Sequence, residues 1–154
     1  MLEYEVHSVC FDLWAEKIRS YWKFLGGGDC YVLLGEPNGY VILIPVKDPD
    51  TGKTVHGILV NRPRKIPEFR NILWHEMGHI RGGESDDPVE NEFLADKWAL
   101  DTALDKGYVR VAEEIILRCS NTMSGKNDST YVEAARMILK QFMDFAQIII
   151  DIHK

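Results

Sequence analysis

From His7 to Leu25, the residues Cys10, Leu13, Trp14, Ile18, Tyr21, Trp22 and Leu25 recur at three- and four-residue spacings, and Gly26-Gly27-Gly28 ends the run. That period places apolar side chains on one face of a helix. Three β-rich segments follow: CYVLLGE (30–36), YVILIPV (40–46) and TVHGILVN (54–61). Pro37-Asn38-Gly39 separates the first two and KDPDTGK the next two. Short turn-forming links suit antiparallel neighbours, so a three-stranded antiparallel sheet is expected. From Pro67 the period is helical again, with Phe69, Ile72, Leu73, Met77 and Ile80 on one side and Gly82-Gly83 as the stop. Asp87-Pro88 reads as the N-cap and first-turn proline of a helix that runs to about Leu104 and ends at Lys106-Gly107. A third helical pattern covers about Val109 to Cys119, and MSGKNDS (123–129) reads as a loop. Thr130 with Glu133 makes a capping-box signature for a last helix that continues to near Ile152.

The order of elements is that of an α+β protein: an N-terminal helix, the sheet, a central helix, then C-terminal helices. No repeat, low-complexity tract or long linker divides the 154 residues, so a single domain is expected. Its core falls at about 30–104, with a helical C-terminal extension at about 108–153.

Composition narrows the partners. Hydrophobic residues are 45% and charged residues 27%, ordinary values for a soluble globular chain. Acidic residues outnumber basic ones 24 to 18, a formal charge of −6, which argues against nucleic acid or an anionic membrane as a direct partner. The basic cluster of Arg62, Arg64, Lys65 and Arg70 reads as a solvated loop and helix start. The longest apolar run, YVILIPV, falls far short of the roughly 18 residues of a membrane span. Cys10, Cys30 and Cys119 are odd in number and form no CxxC, and the N-terminus lacks the basic-then-apolar signal pattern. A reducing, cytoplasmic setting with free thiols is therefore expected. Trp14, Tyr21, Trp22 and Phe24 read as core. Ile148-Ile149-Ile150 makes the last helix apolar on adjacent sides, which implies burial on more than one face or self-association through that helix.

The chemistry concentrates in LWHEMGHIRGGES, Leu73 to Ser85. Residues four apart share a helical face, so His75 and His79 can present both imidazoles to one cation. Zinc accepts such nitrogens, and Glu76, one position round the helix, projects beside the metal instead of onto it. From there its carboxylate can act as general base toward water. A zinc site with catalytic work keeps three protein ligands. In the extended HExxHxxGxxH pattern the third is another histidine; Gly82 fits the glycine, but Ser85 occupies the histidine position and is no ligand for zinc. His7, His56 and His153 have no motif to recommend them. The better candidate is in ENEFLAD, residues 90–96, where Glu92 and Asp96 are four apart. Glu92 can ligate while Asp96 accepts a hydrogen bond from the far nitrogen of a ligating histidine, and Ala95 leaves room for close packing. Glu90 competes, but faces well away from Glu92 and has no acidic partner four residues on.

HExxH followed by ExxxD resembles the gluzincin arrangement. More closely, GILVNRPRKIPEFRNILWHEMGHI followed by ENEFLADKWA resembles the ImmA/IrrE-type metallopeptidases, over roughly residues 30–104. The matched positions of the second segment are Glu92, Ala95, Asp96, Trp98 and Ala99, with Trp98 replacing the usual phenylalanine. The resemblance implies a small zincin-like fold and zinc-dependent endopeptidase activity on a protein or peptide substrate, often a regulatory protein. It also implies that the strand before the motif helix, around His56 to Asn61, pairs with extended substrate. No helix-turn-helix module accompanies the match. Tyr108, Arg110, Tyr131 and His56 stand as candidates for an oxyanion donor. Two function classes remain open on the sequence: an active zinc peptidase, and a metal-stabilised protein-binding module that uses the same groove without turnover. Glu76 favours the first, because a purely structural zinc site has no need of it and usually carries cysteines.

Overall fold

A computed structural model describes residues 3–34, 41–60 and 66–154, with side chains described from residue 11 onward except at 41, 42 and 66–68. The Pro37-Asn38-Gly39 turn, Arg62, Arg64 and Lys65, and the side chains of His7 and Cys10 lie outside the described residues. Among those described are six helices and one three-stranded sheet. The chain packs as two units, residues 1–69 and 70–154. None of the described helices is long and apolar enough to cross a membrane.

In the first unit, α1 (Glu3–Phe24) packs along β1 (Cys30–Leu34), and buries Ala15, Ile18 and Trp22 at helical spacing. Gly27 sits so close beneath the Trp22 indole that a Cβ there would lie 2.2 Å from Nε1, which only glycine permits. The same indole meets His56 edge-on with ring centres 5.9 Å apart. β2 (Val41–Lys47) and β3 (Thr54–Val60) form an antiparallel hairpin running from Lys47↔Thr54 to Val41↔Val60. Asp48 closes its turn, accepting the Asp50 N–H at 2.9 Å and the Tyr31 hydroxyl at 3.1 Å, while Gly52 takes the left-handed φ of +70°.

The sheet is mixed, not antiparallel as the turns predict. Its order is β1-β3-β2, and β1 runs parallel to β3 from Cys30↔His56 to Leu34↔Val60. A short link makes adjacent strands convenient but does not require them. Strands on either side of a middle strand lie about 10 Å apart, within reach of the six residues between β1 and β2. β3, with Gly57, Ile58 and Val60 buried, takes the central position that burial favours. One expectation drawn from the family resemblance fails with it. β3 is hydrogen-bonded on both sides, so residues 56–60 have no free edge for a substrate strand. Among the described residues, the free edges belong to β1 and β2.

In the second unit, α2 (Ile66–Arg81), α3 (Pro88–Asp105), α4 (Val109–Ser124), α5 (Ser129–Gln141) and α6 (Met143–Ile152) supply the residues 70–154 core. α3 packs on α4 and α5, and α4 packs on α5 and α6. Leu100, Ile115, Ile116 and Ile138 are wholly buried there. The Asp87 cap is as expected: its carboxylate accepts the Val89 N–H at 3.0 Å, with Pro88 in the first turn. α4 extends past Cys119 to Ser124. α5 is capped by Asp128, which accepts the Thr130 N–H at 2.8 Å, while Glu133 pairs with Arg136 instead of reaching back to a Thr130 cap. An earlier carboxylate with a free oxygen outcompetes the hydroxyl. The expected last helix breaks at Phe142 (φ −106°, ψ 33°) with no proline or glycine to announce it. Of the three isoleucines in α6, Ile149 is buried, Ile150 is half-buried and Ile148 is 58% exposed.

Candidate metal centre

α2 divides its faces by spacing. Leu73, Trp74 and Met77 are buried, with Trp74 against Trp98 and Tyr108, ring centres 5.9 Å away in both cases. His75 and His79, one turn apart, put their ring centres 4.7 Å from one another. What brings α3 to this face is a glycine. A Cβ on Gly78 would lie 2.2 Å from the Ala95 carbonyl oxygen, and one on Gly82 would lie 2.7 Å from that of Leu94. The helices therefore meet backbone to backbone, and short Ala95 supplies the other half of the contact. Gly83, at φ +94°, turns the chain out of the helix.

At that approach the side chains converge. His75 Nε2 lies 2.7 Å from Glu92 Oε2, and His79 Nε2 lies 3.5 Å from Glu92 Oε1. The donor atoms of His75, His79 and Glu92 all fall within 4.8 Å of one another, a spacing that a single ion could bridge. Two imidazoles and one carboxylate, with no thiolate, suit zinc and other borderline divalent ions.

The far sides of the rings are also held. His75 Nδ1 lies 2.7 Å from Asp96 Oδ1. His79 Nδ1 lies 3.5 Å from the Asn91 side-chain amide, whose oxygen accepts the Ser85 N–H at 3.3 Å. Glu90, the competing ligand in the sequence, instead receives the Ser85 hydroxyl at 2.9 Å. Asp96, only 4% exposed, is gripped from α4: Arg118 Nη2 donates to its Oδ1 at 2.6 Å and Cys119 Sγ approaches Oδ2 at 3.8 Å. Arg118 Nε donates to Asn71 Oδ1 at 2.7 Å. Asn91, Asn71, Arg118 and Gly78 are the residues sequence reasoning missed. Asn71 precedes His75 by one turn and Asn91 precedes Glu92 directly, so both carried a local signal; Arg118 carried none.

The charges follow the geometry. Burial alone would lower the His75 pKa, but the Asp96 charge and the hydrogen bonds to Asp96 and Glu92 raise it to about 10. Burial opposes ionisation of Glu92, yet hydrogen bonds from His75 and His79 and their charge lower its pKa to about 2. Asp96 is likewise held below its usual range, against its burial, by Arg118 and His75. Glu76 goes the other way: burial outweighs the attraction of the two histidines and pushes its pKa up. The Tyr131 hydroxyl, on a side chain 53% exposed overall, is raised by partial burial and then by the charges of Glu92 and Glu76, whose field it shares.

His56 and His153 are not among the residues whose donor atoms converge. His56 packs on Trp22 in the first unit, and His153 pairs with Glu113. Arg70 is engaged with Glu114, Nε to Oε2 at 3.0 Å. The Cys30 and Cys119 thiols are free and buried, and burial pushes them up to about 11 and about 12. That protonation makes them poor nucleophiles. Comparison with known proteins finds no matching family profile, curated protein or solved structure.

Replacement of Glu92 by alanine tests the donor set directly. Zinc per chain, measured by elemental analysis after dialysis, should fall from one toward zero in Glu92→Ala, as in His79→Ala. Unchanged stoichiometry in Glu92→Ala would remove Glu92 from the site.

Proposed function

We propose that this chain is a zinc-dependent endopeptidase of gluzincin type, akin in chemistry to the ImmA/IrrE-type enzymes it resembles, acting on a protein or peptide substrate. The observation that carries the reading is the convergence of the His75, His79 and Glu92 donor atoms within 4.8 Å, beside a carboxyl group, Glu76, whose pKa is raised by burial. His75, His79 and Glu92 would hold the ion. When bound, it supplies Lewis acidity, polarising a carbonyl and making water a nucleophile near neutral pH.

The protein's own groups divide the rest of the work. Asp96 accepts the Nδ1 proton of His75, which fixes the ring with Nε2 turned toward Glu92. Glu76 takes the proton from the attacking water and returns it to the departing amine nitrogen. A general base works best with a pKa near the operating pH, and burial moves a glutamate in that direction. Tyr131, protonated and within the field of both carboxylates, is the oxyanion donor favoured among the candidates.

Digestion of a peptide library, read by mass spectrometry with and without a chelator, tests the reading. Cleavage that chelation stops and zinc restores is the expected result. A metal-loaded protein that leaves every peptide intact and co-purifies with an uncleaved partner would favour a binding module instead.

A further inference from the structure

Asp96 has two carboxylate oxygens and little contact with water. Oδ1 faces both His75 Nδ1, at 2.7 Å, and Arg118 Nη2, at 2.6 Å; Oδ2 faces Arg118 Nη1 at 3.4 Å and the Cys119 thiol at 3.8 Å. The two-pronged contact fixes the plane of the carboxylate, which would otherwise turn about its terminal bond and release His75. The same guanidinium donates from Nε to Asn71, a buried residue one helical turn before His75 on α2. One α4 side chain therefore holds α2 through Asn71 and α3 through Asp96. Those are the helices that carry the two halves of the donor set.

We propose that Arg118 is a positioning residue for the metal centre, setting the His75 ring through Asp96 and the separation of α2 from α3 through its simultaneous grip on Asn71. Lysine cannot replace it, because a single ammonium does not span both acceptors in the plane that the guanidinium occupies. The inference deepens the zinc reading and rests on it.

The test is zinc affinity, by competition with a chromophoric chelator, together with the visible spectrum of the cobalt(II)-loaded protein. The chains compared are wild type, Arg118→Ala, Arg118→Lys, Asp96→Asn and the doubles of Asp96→Asn with each Arg118 variant. Arg118→Ala should weaken zinc about 10–100-fold, the range typical of residues that orient metal ligands. Arg118→Lys should lose less but shift the cobalt bands, since it keeps the charge without the geometry. Because Arg118 sets the His75 ring through Asp96, the loss in each double variant should be smaller than the sum of the two single losses. Helical circular dichroism checks folding, and if Arg118→Ala does not fold, the Arg118→Lys cycle carries the same comparison. Wild-type affinity and spectrum in Arg118→Lys, or losses that add in the double, would overturn the role. A wild-type chain that binds neither zinc nor cobalt would overturn the metal reading and this role together. Tight wild-type binding with unaffected Arg118 variants would overturn this role alone.

Discussion

Glu76→Gln should bind zinc like the wild type and lose peptide hydrolysis by about 10²–10⁴-fold, the span attributed to a positioned general base. The substitution keeps size and shape, and Glu76 is not among the three residues whose donor atoms converge, so the ion-binding set is intact. What disappears is the ability to take up a proton. The charge of Glu76 makes a second, opposite effect readable in the same variant. Its pKa is raised on folding because burial outweighs the pull of His75 and His79. A carboxyl raised in the fold favours the folded state while it is protonated, and that contribution is lost as pH climbs through its folded pKa. Near neutral pH the charged form is thus a burden on the fold, and glutamine removes it. The variant should melt no lower than wild type while being inactive. Turnover equal to wild type would remove Glu76 from the mechanism; a matching drop in zinc content would mean it holds the ion.

Gly78→Ala should be the most damaging single methyl group in the second unit. The added carbon would lie 2.2 Å from the Ala95 oxygen, 2.7 Å from its carbonyl carbon and 2.8 Å from its Cα. All three are backbone, so no side chain can swing aside; α2 and α3 must part by more than an ångström. Alanine improves helix propensity by about 1 kcal/mol over glycine. Overpacking against a rigid backbone costs about 3 kcal/mol or more and wins. The net loss of about 2 kcal/mol or more is, for a chain of this size, a fall in Tm of about 4–8 °C or more. Zinc affinity should fall as well, because His75 and His79 ride on one of these helices and Glu92 on the other. Thermal melts and chelator competition report the two losses separately. A variant that melts with the wild type would mean that the helices do not touch at this point.

The parts of the site that were legible in the sequence are those governed by one helical turn. His75 with His79, and Glu92 with Asp96, share faces because four residues return the chain to the same side, and a cap at Asp87 with Pro88 fixed where α3 begins. Bringing the two faces together also needed Gly78, Gly82 and Ala95 to be small. Arg118 was not legible, since nothing in the local pattern of α4 distinguishes an arginine aimed at Asp96 from one in solvent. The sheet shows the same limit. Alternation and turns located three strands, but strand order is a choice between non-local pairings, and six residues are enough for the chain to pass from β1 on one side of β3 to β2 on the other. The break at Phe142 was invisible for another reason: its backbone change is small enough that Phe142 still donates to Ile138 and accepts from Ala146.

The outer position of β2 has a consequence for how the protein behaves in a crowd. VILIPVK carries five aliphatic residues and is uncharged until its last, the kind of strand that recruits others when it lies at an edge. Pro45, opposite His56 in the hairpin, interrupts it. Proline has no N–H to offer, so at this position β2 lacks one of the backbone donors through which strands pair. The residue that looks like a flaw in a β-strand makes the β2 edge a poorer template for a further strand.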